Sequence, residues 1–204
     1  MRNTGIIVRS RLTMWTFVLQ WAPSVVAAGL LWAATAAGRI PIPGTPVPIT
    51  LQTLVVMMAG VVLSRRQAVA AVVMYVAMGA CGLPVFAGGA STLALVGPSA
   101  GFILGFVPAV AATATLATAV QRVSARWGAH RAGAAAVRWA LRFVAYWLAA
   151  VIGCIALHYA CGLLVQTAVT GVPLRLIASA SAGFLPGDLC KAALAATVAA
   201  TFRR

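Results

Sequence analysis

The arginines of this sequence come in clusters, and between the clusters lie apolar runs of roughly bilayer length. No other feature limits so sharply what the chain can fold into. Arg2, Arg9 and Arg11 precede the first run, and Arg65 and Arg66 separate the second from the third. Arg122, Arg126, Arg131, Arg138 and Arg142 lie between the fourth and fifth, and Arg203 and Arg204 follow the sixth. A membrane-crossing helix needs about 20 mostly apolar residues. The runs fall at about 13–37, 49–64, 67–81, 98–120, 142–165 and 186–202. With six crossings, twelve of the fifteen basic residues share one side with both termini, only Arg39 and Arg175 fall on the other, and Lys191 lies within a span. Basic residues mark the cytoplasmic side, so both termini are expected in the cytoplasm. Five or seven crossings would scramble the pattern. The expectation is an all-α membrane protein of six transmembrane helices, a single integral domain over residues 1–204.

Composition excludes the main rivals. The chain is 63% hydrophobic and 8% charged, whereas soluble domains carry roughly 25% charged residues. Strands of a membrane barrel would need alternating segments of about 10 residues, and the sequence has none. A net charge of +14 suggests nucleic acid at first sight, but such binders spread their cations over a polar surface. Here they punctuate apolar runs. The first run, with its basic flank and "ATAAG", also resembles a cleaved leader. It is longer than a leader core, and its removal would break the alternation of charge, so it is read as the first span. Cys81, Cys154, Cys161 and Cys190 show no metal or redox spacing and are read as free thiols packed as small hydrophobes.

Two connections are too apolar for solvated loops: "GRIPIPGTPVPITLQ", residues 38–52, and "GLPVFAGGASTLALVGPSAGF", residues 82–102. The spans beside them are short, so these loops are expected to dip into the protein as lids or cavity walls, where irregular backbone at membrane depth is tolerated. The stretch 122–138 reads as a basic cytoplasmic connection.

Asp188 is the only acidic side chain of the chain and Lys191 its only lysine. At spacing i, i+3 they share one helix face, in the last apolar run, and an ionisable group there is costly and points to function. "PGD" reads as a helix start with Asp188 as N-cap. Lys191 then opposes the helix dipole in the first turn. Its three donors exceed what one carboxylate uses, so a small polar or anionic solute with an apolar body would complete the pair. Thr50 and Gln52 close the proline-rich loop as further candidates, with capping of span 2 as the other role for Thr50. Tyr75 reads as a packing or interhelical hydrogen-bonding residue. Trp15, Trp21, Trp127 and Trp147 read as interface or packing residues. His130 and His158 have no partner that suggests catalysis. Ala33 and Ala37, four apart, form a small-residue face for a neighbouring helix or a partner protein.

No P-loop is present, since the lysine follows Cys190, and one acid with two histidines supplies little for acid–base or metal chemistry. No catalytic residue, bound metal or cofactor is expected. Energy for uphill transport would come from another subunit.

Four segments, "IPIPGTPVPITLQTLVV", "YVAMGACGLPVFAGG", "GPSAGFILGF" and "LPGDLCKAAL", together resemble the BioY family, biotin-binding S components of energy-coupling factor (ECF) transporters. The resemblance implies an S-component bundle in a prokaryotic cell membrane, with a biotin pocket open to the outside under the first external loop. It implies partners too: a transmembrane coupling protein and ABC-type ATPase subunits, which use the ATP. Asp188 and Lys191 match the family's Asp-x-x-Lys ligand pair, and Phe86 and Ser99 fall in its motifs as further substrate contacts. "GPSAGF" stands where the family more often has "GPTGGY", which alters polarity at Ser99, Ala100 and Phe102. A stand-alone importer of biotin or a related small anionic vitamin, working as a homo-oligomer, is the second reading. A lipid-modifying membrane enzyme would need a nucleophile and base that the sequence does not show.

Overall fold

The computed structural model describes residues 4–128 and 135–203, with side chains for 18–126 and 135–203. Arg2, Arg131, Arg204 and His130 lie outside the described residues, as do the side chains of Arg9, Arg11, Trp15 and Trp127. Among the described residues the regular elements are all helical: α1 (Thr4–Ala36), α2 (Gln52–Val62), α3 (Arg65–Ala80), α4 (Ala100–Gly128) and α5 (Ala135–Ala150) come first. A π-helical stretch, Val151–Ala156, joins α5 to α6 (Leu157–Thr170), and α7 (Leu174–Ser181) and α8 (Leu185–Phe202) complete the chain. The six expected spans correspond to α1, α2, α3, α4, the rod α5–π–α6, and α8. By length and composition, stretches of α1, α4 and the α5–α6 rod can each cross a bilayer.

Local chemistry explains the boundaries. "SRRQ", between the second and third runs, starts α3 as a capping box. Ser64 Oγ accepts from Gln67 N–H at 3.4 Å, and Gln67 Oε1 accepts from Ser64 N–H at 3.2 Å. α6 stops at Gly171, whose φ of +70° suits a glycine C-cap. The second span was expected over 49–64, but α2 begins only at Gln52, because the prolines upstream hold the backbone extended. Segment 122–138 is drawn largely into α4 and α5. α7 was not expected; "LRLIASAS" is too short to register as an apolar run, yet it buries Ile177 and Ser181.

α2 lies at the centre, packed by α1, α3, α4, α5 and α8. Val56, Met57 and Val61 are fully buried there among Leu31, Tyr75 and Val110. The outer surface is apolar: Leu19 is 68% exposed, Leu164 62% and Leu194 59%. In water that girdle would be an aggregation surface; in lipid it is matched to its solvent. α4 and α6 approach closely because glycines meet large groups across the contact. A Cβ on Gly162 would lie 2.3 Å from the Phe102 ring. At the end away from the lids, Arg203 ties three helices, donating to Val61 O at 2.6 Å and Gln121 Oε1 at 3.1 Å. All four cysteines are free. Cys154 is buried and Cys161 half-buried, but Cys81 and Cys190 are exposed, contrary to the reading of packed thiols. Cys81 caps α3 and Cys190 turns outward from α8.

Candidate functional site

The two apolar loops are walls of a cavity. In the first, Ile40 and Ile49 pair as an isolated antiparallel bridge, with N–H···O distances of 2.9 and 2.8 Å. Between them "IPGT" turns with Pro43 and Gly44 in its middle, where Gly44 takes φ +86° as a type II turn requires. Val47 and Ile42 pack against Phe102 and Phe184. The second loop closes Phe86 on Ala90 at 2.9 Å through Gly88 and Gly89, both at positive φ.

On the cavity floor, Asp188 and Lys191 are 4% and 8% exposed, with Nζ 2.9 Å from Asp188 Oδ1. Lys191 also donates to Thr53 Oγ1 at 2.9 Å and to the Thr50 carbonyl at 2.7 Å. Thr53 in turn donates to Asp188 Oδ1 at 2.7 Å, and Tyr159 donates to Oδ2 at 2.8 Å. The result is a closed, neutral network drawn from α2, α6 and α8. Two expectations are thereby corrected. All three Lys191 donors are used within the chain, because α2 and the end of the loop before it bring Thr53 and the Thr50 carbonyl against α8. Asp188 is no N-cap: α8 starts at Leu185, directly after a 3-10 turn over Ala182–Phe184, so Asp188 lies inside the first turn. An ionised carboxylate offers about four lone-pair sites. Three are taken, which leaves one on Oδ2 for a ligand donor.

A second hydrogen-bonded chain positions the lids. The Thr50 hydroxyl donates to Gln52 Oε1 at 2.9 Å, and the Gln52 amide donates to the Tyr75 hydroxyl. Tyr75 donates to Val85 O at 2.9 Å, at the root of the second loop. Thr50 Oγ1 also lies 3.4 Å from Gln52 N–H, so it serves the start of α2 as well as the cavity. Phe86 packs edge-on to Tyr75, with ring centroids 5.4 Å apart.

All six residues singled out as substrate contacts line one cavity: Thr50, Gln52, Phe86, Ser99, Asp188 and Lys191. Ala33 and Ala37 do not; both are exposed, at the end of α1 and just beyond it. The sequence reading missed Thr53, Tyr159, His158, Phe106, Phe184 and Arg39, all of which line the cavity. Thr53 was signalled only as a polar residue in an apolar run, and His158–Tyr159 only as a polar pair in span 5. Arg39 stands beside Gly88, where a Cβ would lie 2.2 Å from its Nη1. Among the described residues no group of three or more acidic, histidine or cysteine side chains is placed to hold a metal ion.

Comparison with known proteins agrees with this architecture. The model of a family described as the BioY family matches residues 10–204. The Biotin transporter BioY of Rhizobium etli is 37% identical over 177 residues, covering 86% of this chain and 85% of that protein. Its namesake in Rhodobacter capsulatus is 35% identical over 192 residues, covering 91% and 90%. The crystal structure of an S-component for biotin from an ECF-type ABC transporter superposes with a TM-score of 0.74, covering 100% of this chain and 94% of that one. At 20% identity the match shows a shared fold.

Proposed function

The chain belongs to the BioY family, and we propose that it captures biotin at the outer face of a cell membrane as the substrate-binding subunit of an uptake system. The observation that carries the reading is the Asp188–Lys191–Thr53–Tyr159 network at the base of an aromatic cavity beneath two folded loops. In this reading both termini are cytoplasmic, and residues 1–204 act as one membrane domain. A transmembrane coupling protein and ABC-type ATPases supply the energy, and Ala33 and Ala37 belong to the face that meets a partner.

The network's chemistry suggests how biotin lies. Because Lys191 is neutralised and fully bonded, the floor suits an uncharged polar head rather than a carboxylate. The ureido ring fits: one N–H donates to the remaining lone pair of Asp188 Oδ2. The thiophane ring and chain lie among Phe86, Phe102 and Phe184. The carboxylate then faces Arg39, the other cation that lines the cavity among the described residues.

The test is equilibrium binding of biotin to the purified protein beside Asp188→Ala and Lys191→Ala. Saturable one-to-one binding, weakened about tenfold or more in folded variants (about 1.4 kcal/mol), supports the reading. A folded wild type that does not bind biotin refutes it. Stand-alone import by a homo-oligomer is separated by uptake in cells that lack the coupling module.

A further inference from the structure

His158 is the buried polar side chain of the cavity that neither hydrogen-bonded chain includes. It lines the same cavity as Asp188 and Lys191, yet it is 6% exposed, and its Nδ1 is buried with no hydrogen-bond partner. The neighbouring buried polar side chains Gln52, Thr53, Asp188 and Lys191, and Tyr159 beside them, all have hydrogen-bond partners.

The ring is also held in place. It stacks on Phe106 at 4.7 Å with 5° between planes, and it meets Phe102 and Tyr159 edge-on at 5.2 and 5.9 Å. Contacts on three sides hold the ring in this orientation. The π-helical stretch just before it contributes to this aim. A π turn inserts a residue and rotates the downstream half of the rod by about 100° relative to a continuous α-helix. The half before the insertion turns Tyr146, Ala149 and Ala150 into the core, and the half after it turns His158 and Tyr159 to the cavity.

A phenylalanine would pack equally well in this aromatic cluster and would leave no buried nitrogen without a partner. The geometry points to His158 as a direct contact of the bound solute, hydrogen-bonding a urea- or amide-type group. The other ring nitrogen meets the Phe102 backbone carbonyl, so Nδ1 is the acceptor of an uncharged imidazole, and a urea or amide N–H is its complement. On the biotin reading, on which this assignment rests, the ureido ring bonds Asp188 through one edge and His158 through another.

The chain has two histidines, so ¹⁵N-histidine labelling of the full-length protein yields two imidazoles, and His158→Phe identifies which signals are whose. Biotin is titrated into wild type and His158→Phe in detergent, with binding measured by calorimetry and folding by thermal melt. Expected are a shift of the His158 nitrogen resonances on saturation, with those of His130 unmoved, and about tenfold weaker biotin binding by His158→Phe at unchanged or higher melting temperature. A wild type that binds biotin while its His158 nitrogens stay unmoved overturns the contact, whether or not the variant folds. Equal affinity in the folded variant overturns it too. A folded wild type that binds no biotin refutes the functional reading itself, and the ureido assignment with it.

Discussion

Lys191→Met removes one charge of a buried pair and keeps the length of the side chain. In the wild type Lys191 makes three hydrogen bonds and Asp188 accepts three. After the substitution the carboxylate keeps only Thr53 and Tyr159 and has no counter-ion within a site less than a tenth exposed. Removing one partner of a buried pair costs about 3–5 kcal/mol. Asp188→Asn strands the ammonium in the same way and costs a similar amount. The double variant Asp188→Asn/Lys191→Met leaves no charge behind, and replacing a whole buried pair by neutral groups is close to neutral in stability. We expect it within about 1–2 kcal/mol of wild type, so the double-mutant cycle yields a coupling of about 3 kcal/mol or more. The assay is reversible unfolding in detergent followed by tryptophan fluorescence, with biotin affinity measured in parallel. All three variants bind biotin at least about tenfold more weakly, the double among them, although it is the most stable. A double variant as destabilised as the two singles summed would refute the closed network. A double variant that binds biotin normally would refute its part in capture.

Arg39→Gln weakens biotin binding about fivefold, the worth of a partly exposed ion pair of about 1 kcal/mol. Biotin methyl ester binds wild type and variant alike by calorimetry, and an equal loss for both would mean that Arg39 acts on the lids instead. Gly162→Ala forces a Cβ to within 2.3 Å of the Phe102 ring. It lowers stability by about 1–3 kcal/mol and displaces a cavity wall, so melting temperature and biotin affinity fall together. With termini inside, exposed Cys81 at the end of α3 faces outward. As the sole cysteine of a variant it reacts with a membrane-impermeant maleimide in intact cells, whereas a sole cysteine at Thr201 does not; the reverse would invert the topology.

Much of the fold is legible in the sequence because its signals are local or compositional. An apolar run must be a helix in lipid, since its backbone groups have no other partners there. Proline and glycine in "IPGT" dictate a turn wherever the segment lies. Asp188 and Lys191 face the same way because three residues on a helix always do. Their part in the site was legible for another reason: ionisable side chains are so rare here that each one stands out.

What the sequence determined by itself, then, is the membrane class, the six runs and the pair on the last of them. What that pair can do depends on contacts between helices far apart in the chain. Lys191 loses its spare donors to Thr50 and Thr53, well over 100 residues away in the chain. His158 and Tyr159 reach the cavity behind a π-helical stretch that no periodicity in so uniform an apolar run reveals. Arg39 lines the cavity because two loops fold over it. Each of these depends on which helix face meets which, and in a chain of alanine, leucine and valine one face reads much like another until side chains meet across the bundle.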